Sequence, residues 1–272
     1  MQISSIQLRN AALVGALIVA TAFIPPRPAG GQEYTSPRNA DVDVRGARRI
    51  HIEGAAGLLR VEGRAGATQV KVRGTAATSR REWLDNIKLI AELRGGDVFI
   101  KADIPDNDSG WNMRGDNRRS LDLVIEVPTN LPLEVVDGSG EATFTGIGSL
   151  DLRDGSGGIE VRGAKGTIHI IDGSGGISVR GVEGDVTVED GSGGIEARDV
   201  TGNFTVSEDG SGNIDINGVG GTMRVKGDGS GDIDVERVAG DFIVDSDGGG
   251  SIRHDTVKGK VTIPERRRRR GN

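Results

Sequence analysis

The chain has 272 residues, a formal net charge of −6 and no cysteine, so neither a disulfide framework nor a thiolate metal site can exist. Glycine reaches 45 residues without a third-residue period and beside only 8 prolines, which excludes collagen. With 35% hydrophobic but only 3% aromatic residues, the core must be slim and built from Ile, Val and Leu.

The first feature in chain order is an export signal. Arg9 precedes the apolar run Ala11–Ile24, and the small residues Ala20–Ala22 or Ala29–Gly31 offer cleavage sites. As a helix that run spans about 21 Å, short for the alternative reading, an uncleaved membrane anchor. No cysteine follows it, so lipoprotein anchoring is ruled out. Residues 1–31 are therefore expected to be a signal peptide, with the mature protein exported to the periplasm, the cell surface or the extracellular medium. Without them 32 basic residues face 40 acidic ones; without Arg266–Arg270 as well, the body stands at −13.

Residues 32–49 read as a flexible segment, and 50–130 as a degenerate coil plus an irregular β-rich cap. Within the latter, Gly57–Gly74 spaces Leu59, Val61, Val70 and Val72 as a coil would. Ser79 and Glu82 have capping-box spacing for a short helix, and Ile87–Ile104 suits a hairpin about Gly95-Gly96. Pro105–Arg119 is a polar loop, and Ser120–Pro128 a strand that leads onward.

Residues 131–264 repeat themselves. Asp137, Asp154, Asp172, Asp190, Asp209, Asp228 and Asp247 follow one another at spacings of 17, 18, 18, 19, 19 and 19. A fixed period of this kind marks a solenoid. Counting from the aspartate, +5 and +7 are apolar (Ile159 and Val161, Ile177 and Val179), as are +14 and +16 (Ile168 and Ile170, Val186 and Val188). Valines also stand at +10 (Val182, Val200, Val219, Val238, Val257) and glycines at +12 (Gly166, Gly184, Gly202, Gly221, Gly240, Gly259). Alternation with polar residues makes two short strands per repeat, each with one buried face. The Asp-Gly-Ser-Gly corner suits an aspartate that accepts a backbone N–H two residues on. The fold class is all-β: a parallel β-solenoid of 17–19-residue coils, right-handed by the usual rule for parallel crossovers. The +12 glycine implies positive φ or a crowded backbone. Pro264 and the basic tail 265–272 blunt the last edge.

The stretch Leu121–Gly163, with its strand ending in Val-Pro followed by Gly-Ser-Gly repeats, resembles the bacterial putative adhesin family of exported β-helical proteins. The likeness runs from about Ile50 to Ile263. It implies an extracytoplasmic parallel β-helix and brings no catalytic residues with it.

The chemistry is sparse. The nonapeptide calcium motif places its aspartate after the glycines, whereas Asp172 precedes Gly173, and EF-hand spacing fails at Ile233. Asp-Gly corners that bind calcium remain the alternative reading, and structural turn aspartates the favoured one. Ser174 lies two residues after Asp172, so G-x-S-x-G is absent, and His51, His169 and His254 give no serine a partner. His169 falls outward, and His254 inward in the last coil. A carbohydrate-active β-helix enzyme is a third reading, weakened because no inserted loop builds a cleft. An acidic, aromatic-poor body argues against nucleic acid, and no cofactor is expected. What remains is an envelope or surface scaffold with Glu160, Arg162, Arg180, Glu196 and Arg198 as contact ladders. Arg266, Arg267, Arg268, Arg269 and Arg270 are candidate contacts to anionic membrane or lipopolysaccharide.

Overall fold

The structure, a computed structural model, describes residues 33–105 and 118–265. The expected export signal, residues 1–31, and the candidate contacts Arg266–Arg270 lie outside the described residues. Seven strands precede the repeats: β1 (Tyr34–Asp43), β2 (Arg49–Glu53), β3 (Leu59–Arg64), β4 (Gln69–Thr78), β5 (Lys88–Arg94), β6 (Asp97–Asp103) and β7 (Arg119–Pro128). In the repeats, one side of each coil is formed by β8 (Leu133–Asp137), β10 (Leu150–Asp154), β12 (Ile168–Asp172), β14 (Val186–Asp190), β16 (Phe204–Asp209), β18 (Met223–Val225), β20 (Phe242–Val244) and β22 (Val261–Thr262). The other side is formed by β9 (Gly140–Thr145), β11 (Gly157–Arg162), β13 (Ile177–Val182), β15 (Ile195–Val200), β17 (Ile214–Val219), β19 (Ile233–Val238) and β21 (Ile252–Val257).

The fold is the parallel β-solenoid that the period implies. Every repeat strand pairs in parallel with its counterpart one coil away, and like stands on like. One column runs Ile159, Ile177, Ile195, Ile214, Ile233, Ile252; its opposite runs Leu133, Leu150, Ile168, Val186, Phe204, Met223, Phe242, Val261. The +10 residues Ile147, Ala164, Val182, Val200, Val219 and Val238 close the third side and are buried. Where the spacing lengthens from 18 to 19, the register slips between Val188 and Glu189, so that Glu189 faces Glu208. The extra residue is absorbed as a bulge and the apolar columns stay in phase.

The corners explain their own composition. At the second glycine of Asp-Gly-Ser-Gly the chain turns with positive φ, 143° at Gly175, and a Cβ there would stand 1.6 Å from the carbonyl oxygen of Gly157. That clash recurs from coil to coil, so the column accepts only glycine. The +12 glycines are held by crowding, as expected: a Cβ at Gly202 would lie 2.5 Å from the oxygen of Gly184. Gly166 and Gly184 at +12 also have positive φ, and a further positive-φ column stands at +9, where Gly163, Gly181 and Gly218 share the position with Asp199 (φ 56°), Arg237 (φ 57°) and Thr256 (φ 54°). Those side chains hide the column from a reading of glycines.

The region before the repeats corrects three expectations. Of the segment 32–49 expected to be flexible, the described part, 33–49, holds a strand: β1 pairs antiparallel with β4 over ten residues, and Arg38 ties it down, its Nε donating to the Ile87 carbonyl and Nη2 to that of Leu84, both at 2.8 Å. The β-rich cap, irregular in its antiparallel β1, β4 and β5, is nevertheless continuous with the solenoid, and the strands form two sheets of 11 among the described residues. The early coil exists, but its strands are β2 and β3. Ile50 and Ile52 stack on Leu133 and Val135, and Leu59 and Val61 on Ala142 and Phe144, while Val70 and Val72 turn back in the antiparallel β4. This coil is also intercalated: β2 lies between β6 and β8, and β3 between β7 and β9. The capping box does not form; the short helix is a 3-10 turn, Arg81–Asn86, that no N-cap side chain closes. The hairpin about Gly95-Gly96 is present, both glycines at positive φ. No helix among the described residues is long and apolar enough to cross a membrane.

Two stability predictions follow from the stacking. Gly175→Ala should cost about 2–4 kcal/mol in chemical denaturation, whereas Gly176→Ala, whose Cβ would meet nothing within 4 Å, should stay within about 0.5 kcal/mol. Phe204→Ala, which empties a fully buried site between Val186 and Met223, should cost about 3–5 kcal/mol in the same assay.

Candidate interaction surface

Outward residues alternate with the core residues of β11, β13 and β15, so five side chains far apart in sequence share one flat face. Parallel register puts Arg162, Arg180 and Arg198 in one column and Glu160, Ser178 and Glu196 in the next. Three stacked guanidinium groups would repel one another. The glutamates relieve this along and across the strands. Glu160 pairs with Arg162 in its own strand and with Arg180 at 3.8 Å. Glu196 takes Arg180 at 3.0 Å and Arg198 at 2.8 Å. Burial would raise the Glu196 carboxyl, but the two arginines outweigh it and hold the pKa below the usual value. The structure thus joins all five expected contact residues into one ion-pair chain, Arg162–Glu160–Arg180–Glu196–Arg198.

Farther along, the sign changes. The arginine column continues as Asn217, Glu236 and Asp255, and the glutamate column as Asp215, Asp234 and Arg253. Asn217 donates to Glu236 at 2.7 Å and accepts from Arg237, while Arg253 bridges Asp232 and Asp234 at 3.0 and 2.9 Å. The left-handed residues Asp199 and Arg237 flank Gly218 in a shallow open depression, their side chains 3.4 Å apart.

The opposite sheet carries a group that the repeat pattern did not reveal. Because β2 is inserted between β6 and β8, Arg49 reaches both Asp97 (2.9 Å) and Glu134 (2.8 Å). His51 stacks on Phe99 with ring centroids 5.3 Å apart and pairs with Glu53 at 3.2 Å. Lys101 above all, then His51, lowers the Glu53 pKa against its burial. The signal lay in the apolar spacing of Ile50 and Ile52, which marks residues 49–53 as a coil strand. His169 faces outward as expected, 3.4 Å from Asp151. His254 takes the inward position of the last coil, exposed there, with its ring 6.0 Å from Phe242.

The corner aspartates do form the expected turns: Ser174 N–H donates to Asp172 and Ser192 N–H to Asp190, both at 3.2 Å, and Gly249 N–H to Asp247 at 2.9 Å. Their carboxyls are not solvent-facing ligands, however. Six of the seven are buried. Among the described residues, no three His, Asp or Glu side chains are gathered as a metal ion would need.

No family model matches the chain, and no curated protein matches it. Solved structures do resemble it. A putative cell adhesion protein of Clostridium sporogenes is 13% identical, with 85% of this chain and 100% of that one covered and a TM-score of 0.32. A putative lipid binding protein of Parabacteroides distasonis is 15% identical, covering 83% and 96% at a TM-score of 0.38. A putative adhesin of Parabacteroides merdae is 9% identical, covering 86% and 97% at 0.33. Adhesin is also the description of the family that Leu121–Gly163 resembles. At these identities and scores, function is argued from this chain's own residues.

The ion-pair chain is half-exposed, and exposed pairs contribute little to stability. Arg180→Ala should therefore change the denaturation free energy by less than about 1 kcal/mol, leaving the face free to serve contact rather than folding.

Proposed function

We propose that this chain is a non-enzymatic scaffold, exported from the cytoplasm, that presents one solenoid face to an envelope or surface partner. The observation that carries this reading is the Arg162–Glu160–Arg180–Glu196–Arg198 chain on a flat face. A planar array of guanidinium and carboxylate groups at ~4.8 Å spacing suits a repetitive partner, such as an anionic envelope polymer or an extended protein segment. Among the described residues the corners between successive repeat strands are short, and none builds a cleft over the face. Catalysis by opposed carboxylates has no support here. The apolar run at Ala11–Ile24 supports export, and the arginines at 266–270 supply a second contact, to anionic membrane or lipopolysaccharide.

The test is co-sedimentation of the protein with purified envelope material at low and high salt. Two variants run beside it: Arg162→Gln with Arg180→Gln and Arg198→Gln, and glutamine at all five positions 266–270. Salt-sensitive binding that drops at least tenfold in the face variant is the expected result. Loss only in the tail variant would move the contact to the tail, and absence of binding by the parent would remove the reading.

A further inference from the structure

We propose that the corner aspartates form a proton-binding ladder, in which neighbouring carboxyls share protons between coils and acid tightens the solenoid. This goes beyond the surface reading and does not depend on it.

The ladder rests on geometry. Asp137, Asp154, Asp172, Asp190, Asp209, Asp228 and Asp247 are register partners in unbroken succession, each directly over the last. Asp137 to Asp228 are only 1–7% exposed. Both carboxyl oxygens of Asp154, Asp209 and Asp228 are buried without a hydrogen-bond partner, as is one oxygen each of Asp137, Asp172 and Asp190. Such orphaned oxygens are costly unless something donates to them. The register sets Asp154 beside Asp172, Asp209 beside Asp228, and Asp228 beside Asp247, one strand spacing apart.

Among the described residues, no basic side chain is paired with the column. Backbone N–H groups donate to the column at Ser174, Ser192 and Gly249, and the charges that act on its carboxyls are those of other column members. On the even-numbered strands, the preceding residues Arg153, Glu189 and Glu208 are exposed, as is Lys226. Across the corner, Glu141 is exposed and Asp232 turns to Ser251 N–H and Arg253. At the cap end the column stops at Gly54, where a Cβ would stand 2.1 Å from Asp137 Oδ1.

Buried carboxylates stacked at ~4.8 Å cannot all ionise, whereas a protonated one donates its O–H to the next and satisfies both. Burial, then neighbouring aspartates, raises the pKa of Asp154 to about 7, while Asp137, at the end of the column, is raised by burial to about 6. Burial likewise raises Asp172, Asp190, Asp209 and Asp228. A carboxyl whose folded pKa lies above its unfolded value takes up protons on folding. Its contribution is complete below the unfolded pKa near 4, fades as pH rises through 6 to 7, and is absent above.

The experiment is denaturation of the full chain at pH 5, 6, 7 and 8, at fixed ionic strength with chelator. The unfolding constant should fall on acidification, about tenfold per pH unit for each proton taken up. The double variant Asp154→Asn, Asp209→Asn supplies permanent N–H donors at nearly unchanged volume. It should flatten the dependence and match or exceed the parent at pH 8. The variant His51→Gln, His169→Gln, His254→Gln should keep the dependence, which separates the ladder from histidine titration. Infrared spectra of the folded parent at pH 7 should contain the carbonyl band of protonated carboxyl, a readout that survives if the asparagine variant fails to fold. Stability that is flat or falls from pH 8 to 5, a dependence unchanged in the asparagine variant, or no such band would overturn the proposal. So would alkaline stability that added potassium or calcium restores, since the column would then hold cations.

Discussion

Every coil of this solenoid must present the same kind of residue at the same place as the coil before it, because parallel strands stack in register at ~4.8 Å. For apolar residues the rule is favourable, and Ile159 to Ile252 form a column that buries itself. For charge it is hostile, since any conserved-phase ionisable residue lands on its own kind. The chain meets that constraint in two ways. On the face, acids beside the column and across it neutralise stacked arginines. At the corner, stacked aspartates are turned inward, where they are reconciled by protons rather than by counter-charges. Glycine at the second corner position is the third consequence, for only a missing side chain lets one backbone lie on the next.

The same constraint decided what could be read from the sequence. From Leu133 to Val257 the strands follow from residue spacing, because a period shared by seven copies cannot be satisfied by another register without turning Ile and Val outward. Even the change of period from 18 to 19 leaves those columns in place. The five face residues follow equally, since alternation alone sends Glu160 and Arg162 outward. The burial of the aspartates does not, because Asp beside glycine is the ordinary composition of an exposed turn, and only the stacked corner shows which way the carboxyl points.

The cap was less legible for a different reason. Val70 and Val72 have coil spacing but belong to a strand that returns antiparallel, and periodicity carries no strand direction. Arg49, Asp97 and Glu134 meet only because β2 is threaded between two later strands, a long-range arrangement with no local signature. Residues 32–49 look featureless by composition, yet Arg38 and the length of β4 give them a place.

That threading also constrains the order of assembly. A plain solenoid can grow one coil at a time, each finished turn templating the next. Here β2 and β3 need β6 and β7 on one side and β8 and β9 on the other, so the second coil is incomplete until Thr145 is available. A chain emerging from its amino end, from a ribosome or through a translocation pore, would therefore carry its first strands unsheathed until more than half of its 272 residues had appeared. The coil of β2 and β3 can be complete only with strands from downstream beside it, whereas each later coil has its amino-terminal neighbour already in the chain.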